Sequence, residues 1–228
     1  MTPLYFIVLL ASGIVPVLFS IFGIDFIKNW KSFTISTSIV AVIFLVWDAF
    51  FTAQGIWGFT EEYCLGIYFL KMPIEEWMFF YVIPFCSLFA HFALFYACPN
   101  LKLSKTTTRY ISIALIGIAL VLILVYYPKT YTLVNFSFLL VVLILGILFK
   151  IKLLQQFYIS FLVILIPFFI VNGILTGLIT DIPVVWYNNT ENLGIRLITI
   201  PVEDIGYAFT MLFGNLMIFD SLTNKQNQ

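Results

Sequence analysis

The chain has 228 residues, of which 62% are hydrophobic and 10% charged, with 11 basic against 11 acidic side chains and a mean hydropathy of +1.08. No soluble domain of this size needs so much apolar sequence, and a net charge of zero gives no electrostatic draw toward nucleic acid or another strongly charged partner. The composition predicts an all-α polytopic membrane protein whose constant partner is the lipid bilayer.

Hydropathy predicts seven transmembrane helices, at about residues 3–22, 33–52, 73–97, 110–126, 131–149, 157–178 and 201–222. The first is too long for a signal-peptide core and lacks a basic start and a small-residue cleavage pattern, so it is expected to be retained. The connections at 53–72 and 179–200 are long but rich in aromatic and apolar residues. Such loops are expected to lie in the interface or to dip back into protein. The fourth span is uninterrupted Ile, Leu and Val, and reads as a lipid-facing connector.

Against this background one short stretch stands out because it occurs twice. Pro73-Ile74-Glu75-Glu76 is matched by Pro201-Val202-Glu203-Asp204 at a fixed offset (201 − 73 = 128), and Gly66-Ile67 is matched by Gly194-Ile195 at the same offset (194 − 66 = 128). Trp57 and Trp186 precede the two copies at nearly that spacing. The chain therefore divides into a first repeat at 1–98, a linker with the fourth span at 99–129, and a second repeat at 130–228. An odd linking span leaves the two three-helix repeats parallel, so both motifs open on one membrane face around a shared cavity.

Basic residues orient the chain. Lys28, Lys31, Lys102, Lys105, Arg109, Lys150, Lys152 and Lys225 fall on one side, and only Lys71, Lys129 and Arg196 on the other. The positive-inside rule then puts the N-terminus outside, the C-terminus in the cytoplasm and the motifs near the outer leaflet of a bacterial-type inner or plasma membrane.

Carboxyls at the head of a membrane helix are costly and point to function, although Pro followed by acids also makes an ordinary interfacial helix start. In an apolar, aromatic-lined cavity, neighbouring carboxyls share protons, so a neutral member can protonate an alkene while an ionised one takes a proton back. Aromatic faces would stabilise a carbocation between those events. No Gly-rich nucleotide loop is present, Cys64, Cys86 and Cys98 lack metal or redox spacing, and the lone His91 reads as a packed or hydrogen-bonded residue, so no cofactor and no metal site is expected.

Trp47-Asp48, Gly55-Ile56-Trp57, the run from Pro73 to Phe80, Asn172 to Thr176, and Gly194 to Tyr207 together resemble the lycopene cyclase family of small membrane proteins. They resemble in particular the cyclase half of the fungal bifunctional cyclase–phytoene synthases and the two-subunit bacterial cyclases. The resemblance covers most of both repeats. It implies a cofactor-free isomerisation that closes the ψ ends of lycopene to β-ionone rings, with lycopene as the partner substrate and with association with other carotenoid enzymes. It implies that Glu75, Glu203, Glu76 and Asp204 are the catalytic acids and bases, the glutamate shared by both copies (Glu75, Glu203) first among them. Asp48, Trp57, Phe79, Phe80, Asn172, Trp186, Arg196 and Tyr207 are expected to support or bind substrate. Asp48 aligns with Asn172, so the halves are not chemically equivalent.

Two other classes fit the same acids. A membrane prenyltransferase would use them to hold Mg²⁺ and a diphosphate, but it needs more Lys and Arg than this face offers. A proton-coupled transporter would use them as a relay.

Overall fold

The computed structural model describes residues 3–226. Seven helices long and apolar enough to cross a membrane run through it: α1 Leu4–Phe22, α2 Trp30–Gln54, α3 Ile74–Ala97, α4 Lys105–Val125, α5 Thr130–Phe149, α6 Ile151–Leu175 and α7 Glu203–Gln226. Several begin before the apolar sequence does. A loop expected at 150–156 is reduced to Lys150 between α5 and α6, and α4 starts at Lys105 because Ser104 caps it, accepting the Thr107 N–H at 3.0 Å. At its other end α6 stops at Leu175, three residues short of the hydropathy estimate, where Thr176 and Gly177 close the helix.

Helix contacts follow a regular pattern. The first helix of each repeat packs on the third (α1 on α3, α5 on α7), and the middle helix of each packs on the third helix of the other (α2 on α7, α6 on α3). The fourth span lies outside this core against α5 and α6, where the Ser112 and Tyr158 hydroxyls hydrogen-bond at 2.7 Å. Much of its surface faces outward, including Ile113, Ile118 and Leu124.

Both long loops fold back on the core as short strands, labelled β1 Trp57–Phe59, β2 Tyr68–Phe69, β3 Met72–Pro73, β4 Val185–Tyr187, β5 Arg196–Leu197 and β6 Ile200–Pro201. The β2–β3 and β5–β6 hairpins are copies at the 128-residue offset, pairing Tyr68 with Pro73 and Arg196 with Pro201. Each turn carries an apolar residue in the left-handed region, Leu70 at φ 52° and Ile198 at φ 61°. For a β-branched residue such as Ile198 that conformation is strained, and the surrounding hydrogen bonds hold it in place. Each hairpin is tied to its helix by one backbone bond, Ile74 N–H to Ile67 O at 2.9 Å and Val202 N–H to Ile195 O at 3.1 Å. The prolines are thus the last residues of short strands that lead into the helices, Pro73 one place before α3 and Pro201 two places before α7.

The strands β1 and β4 join the two halves. They pair antiparallel with Gly58 opposite Trp186, so the loops after α2 and α6 share a face of the molecule. At the opposite end Lys150 Nζ bonds Asp220 Oδ2 at 2.8 Å. His91 lies between these ends with its Nδ1 2.7 Å from Ser160 Oγ, a packed and hydrogen-bonded residue as the sequence implies.

Candidate active site

Each motif sends its two acids in different directions. Successive residues on a helix are rotated by about 100°, so adjacent carboxyls at a helix start cannot share a face. Glu75 turns back toward its own loop, and its Oε1 accepts the Leu65 N–H at 2.6 Å. Glu203 does the same in the second repeat, accepting the Leu193 N–H at 2.7 Å and the Thr132 hydroxyl at 2.8 Å. Both are fully buried, and neither lines the cavity that their neighbours Glu76 and Asp204 enter. They pin the segment that leads to Gly66 and Gly194, whose φ values of 82° and 71° call for glycine.

Glu76 and Asp204 turn the other way, into a cavity of about 720 Å³. The hydroxyl of Tyr5, from α1, donates to Glu76 Oε2. On the other side Asp204 Oδ1 accepts from the Tyr131 hydroxyl at 2.5 Å and Oδ2 from the Tyr187 hydroxyl at 2.8 Å. Burial, followed by the nearby Asp204 charge, pushes the Tyr187 phenol well above its ordinary pKa, so it remains a donor. Behind Glu76 lies the Asp48 carboxyl, held by the Trp57 indole N–H at 2.5 Å and the Thr52 hydroxyl at 3.2 Å.

Aromatic rings complete the polar end. Trp57, Phe59, Phe79 and Tyr207 line it with the three phenols, and Trp57 stands edge-on to Tyr131 with centroids 5.2 Å apart. The remainder of the wall is aliphatic. It runs between α1 and α6 past Ala11, Val15, Pro167 and Val171, and reaches the lipid-facing surface where Val15 and Ile170 are exposed. The corresponding space between α2 and α5 is filled instead: Trp47 stacks on Phe138 at 5.2 Å, and Phe44 packs on both.

The other residues singled out in the sequence are distributed unevenly. Asn172 lines the cavity and donates to Phe168 O at 3.2 Å. Phe80 is buried behind Phe79 and touches Phe44 instead of the cavity. Trp186 is half-exposed and lies over Gly58, where a Cβ would overlap its indole. At the 128-residue offset Trp57 therefore corresponds to Val185 and Trp186 to Gly58, so the two tryptophans are not counterparts. Arg196 bonds Thr199 O at 2.7 Å and Asn189 Oδ1 at 2.9 Å, and covers the Tyr187 ring at 5.7 Å without reaching the cavity.

Three site residues, Tyr5, Tyr131 and Tyr187, escape a reading built on acids. The signal was present in part, since Tyr5 and Tyr131 open the first helices of the two repeats at nearly the motif spacing (131 − 5 = 126).

Seven apolar helices around a cavity with a polar, carboxyl-bearing end define an integral membrane protein. The family model for lycopene cyclase matches residues 2–95 and 128–222, and the chain belongs to that family. No curated protein and no solved structure matches it. It is an enzyme that cyclises lycopene, a carotenoid.

Proposed function

We propose that the chain closes the ψ ends of lycopene to β rings by proton transfer alone, with Glu76 and Asp204 as the groups that move protons. The observation that supports this reading is that these two carboxyls, one from each repeat, are the acids that line a single apolar, aromatic-walled cavity. A carboxylic acid adds a proton at C2 of the terminal double bond. The resulting C1 cation is attacked by the C5=C6 double bond, which forms the C1–C6 bond and moves the charge to C5. Loss of the C6 proton to a carboxylate regenerates a C5=C6 double bond, so atoms and electrons balance without an oxidant or reductant. Trp57, Phe79 and Tyr207 offer ring faces to the cation, and the dry wall protects it from water.

Glu75 and Glu203 serve this chemistry indirectly, by fixing the helix starts from which Glu76 and Asp204 project. The aliphatic groove between α1 and α6 takes the rest of the polyene, whose far end remains in the bilayer. The two repeats relate by a two-fold axis along the membrane normal, consistent with the recurrence of hairpins, carboxyl contacts and helix packing at one offset. The basic bias orients the N-terminus and the motifs outward. A substrate so insoluble in water also favours association with other carotenoid enzymes in the same membrane.

The test is turnover by purified protein in liposomes loaded with lycopene. In D₂O, with no nucleotide or metal added, each ring formed carries one deuterium at C2. Dependence of ring formation on reduced flavin or on Mg²⁺ would contradict the reading.

A further inference from the structure

We infer that the two repeats divide the reaction between them: Glu76 delivers the proton at C2, Asp204 removes the proton from C6, and Tyr187 is the positioning residue that sets this direction. The inference rests on the acid–base reading above and adds a polarity to it.

The two halves are close copies that differ in the hydroxyls they present to the cavity acids. By the repeat offset the counterpart of Tyr187 is Phe59 (187 − 59 = 128). Their positions agree: Phe59 stacks on Tyr5 at 6.5 Å and 20°, and Tyr187 stacks on Tyr131 at 6.0 Å and 23°. Both stacked pairs stand beside the cavity acid of their own repeat. Only the second pair has two phenols to give. Asp204 therefore accepts on both oxygens, whereas among the described residues Glu76 accepts on Oε2 from Tyr5 alone.

Nearby charges differ in the same sense. The Arg196 guanidinium covers the ring of Tyr187 in the second repeat, and its counterpart in the first is Tyr68 (196 − 68 = 128). Asp48 lies beside Glu76 in the first repeat, whereas in the second neither the residue at the 128-residue offset, Thr176, nor Asn172 carries a charge. Donors on both oxygens and a neighbouring cation suit a carboxylate. Two adjacent acids away from water cannot both be charged, so the Asp48–Glu76 pair carries a proton. That proton forms the C2–H bond. The C6–H electron pair becomes the new double bond, and its proton goes to Asp204. Each ring moves one proton from Glu76 to Asp204, and exchange with the medium resets the pair.

Ring type provides the readout, because the base decides which proton leaves the C5 cation. Removal from C6 gives a β ring, from C4 an ε ring and from the C5 methyl a γ ring. Glu76→Gln should leave lycopene unreacted, with no ring of any type. Asp204→Asn should still consume lycopene in liposomes and divert it to ε, γ or hydrated end groups. Tyr187→Phe, a milder variant, should raise the non-β share roughly tenfold or more relative to wild type, an effect that simple loss of stability would not produce. Diverted rings from Glu76→Gln, complete inertness of Asp204→Asn at matched folded protein, or unchanged ring type in Tyr187→Phe would each overturn the assignment. Near-normal β rings from both acid variants would instead overturn the acid–base reading on which it rests.

Discussion

The Tyr187 phenol donates to Asp204 Oδ2 at 2.8 Å, and the residue in the matching place of the first repeat, Phe59, has no hydroxyl to offer Glu76. The bond has a consequence for stability that is separate from catalysis. Because burial and the Asp204 charge raise the Tyr187 pKa in the folded protein, its contribution is fully present below the unfolded phenol value of about 10 and is lost as pH rises through the folded value. Above about pH 10 the unfolded chain releases a proton that the folded chain keeps. Wild type should therefore lose stability more steeply than Tyr187→Phe, by about 1.4 kcal/mol per pH unit. Thermal midpoints in detergent across that range provide the check, with equal slopes counting against the contact.

The native thiols report topology without added cysteines. Cys98 is exposed at the end of α3 remote from the motifs, whereas Cys64 is buried in the loop beside Glu75 and its thiol is pushed up to about 11 by burial and then by the Glu75 charge. In intact cells a membrane-impermeant maleimide should label neither, and after the cytoplasmic face is opened it should label Cys98 while sparing Cys64. Labelling of Cys98 from outside would reverse the orientation.

The α1–α6 groove should be the path for the polyene. Ala11 lines it near the lipid-facing surface, and Ile14 is exposed on the same helix outside it. Ala11→Trp should cut ring formation on the order of 10²-fold by displacing the chain from the acids, at an unchanged melting temperature. Ile14→Trp should leave turnover near wild type. Equal activity in both variants would place the substrate elsewhere.

The spans and the repeat with its paired acids can be read from the sequence because hydropathy and a constant offset survive without coordinates. The direction of each acid could not. Glu75 and Glu76 are neighbours in sequence, and it is helix rotation together with the Leu65 N–H that turns one into the loop and the other into the cavity. Shared identity favours Glu75 and Glu203, and the two glutamates also share a hydrogen bond to their own loop, from the Leu65 and Leu193 N–H groups. Residue type pairs Trp57 with Trp186, whereas the β1–β4 register and the repeat offset make Gly58 the counterpart of Trp186 and leave its indole over a glycine, away from the cavity. The tyrosines were missed because one phenol among many aromatic residues carries no signal until its partner is known. The cross-repeat strand pair is likewise too short to announce itself in a pattern.

Side-by-side turnover of Glu76→Gln and Glu75→Gln, at equal folded protein in lycopene-loaded liposomes, tests most directly whether the cavity acids move the protons. Loss of a positioned acid should lower ring formation by about 10²–10⁴-fold in Glu76→Gln. Glu75→Gln keeps an oxygen for the Leu65 N–H and should retain activity in proportion to the protein that folds, with a stability loss of about 1–3 kcal/mol. Full inactivity of folded Glu75→Gln alongside an active Glu76→Gln would contradict the account.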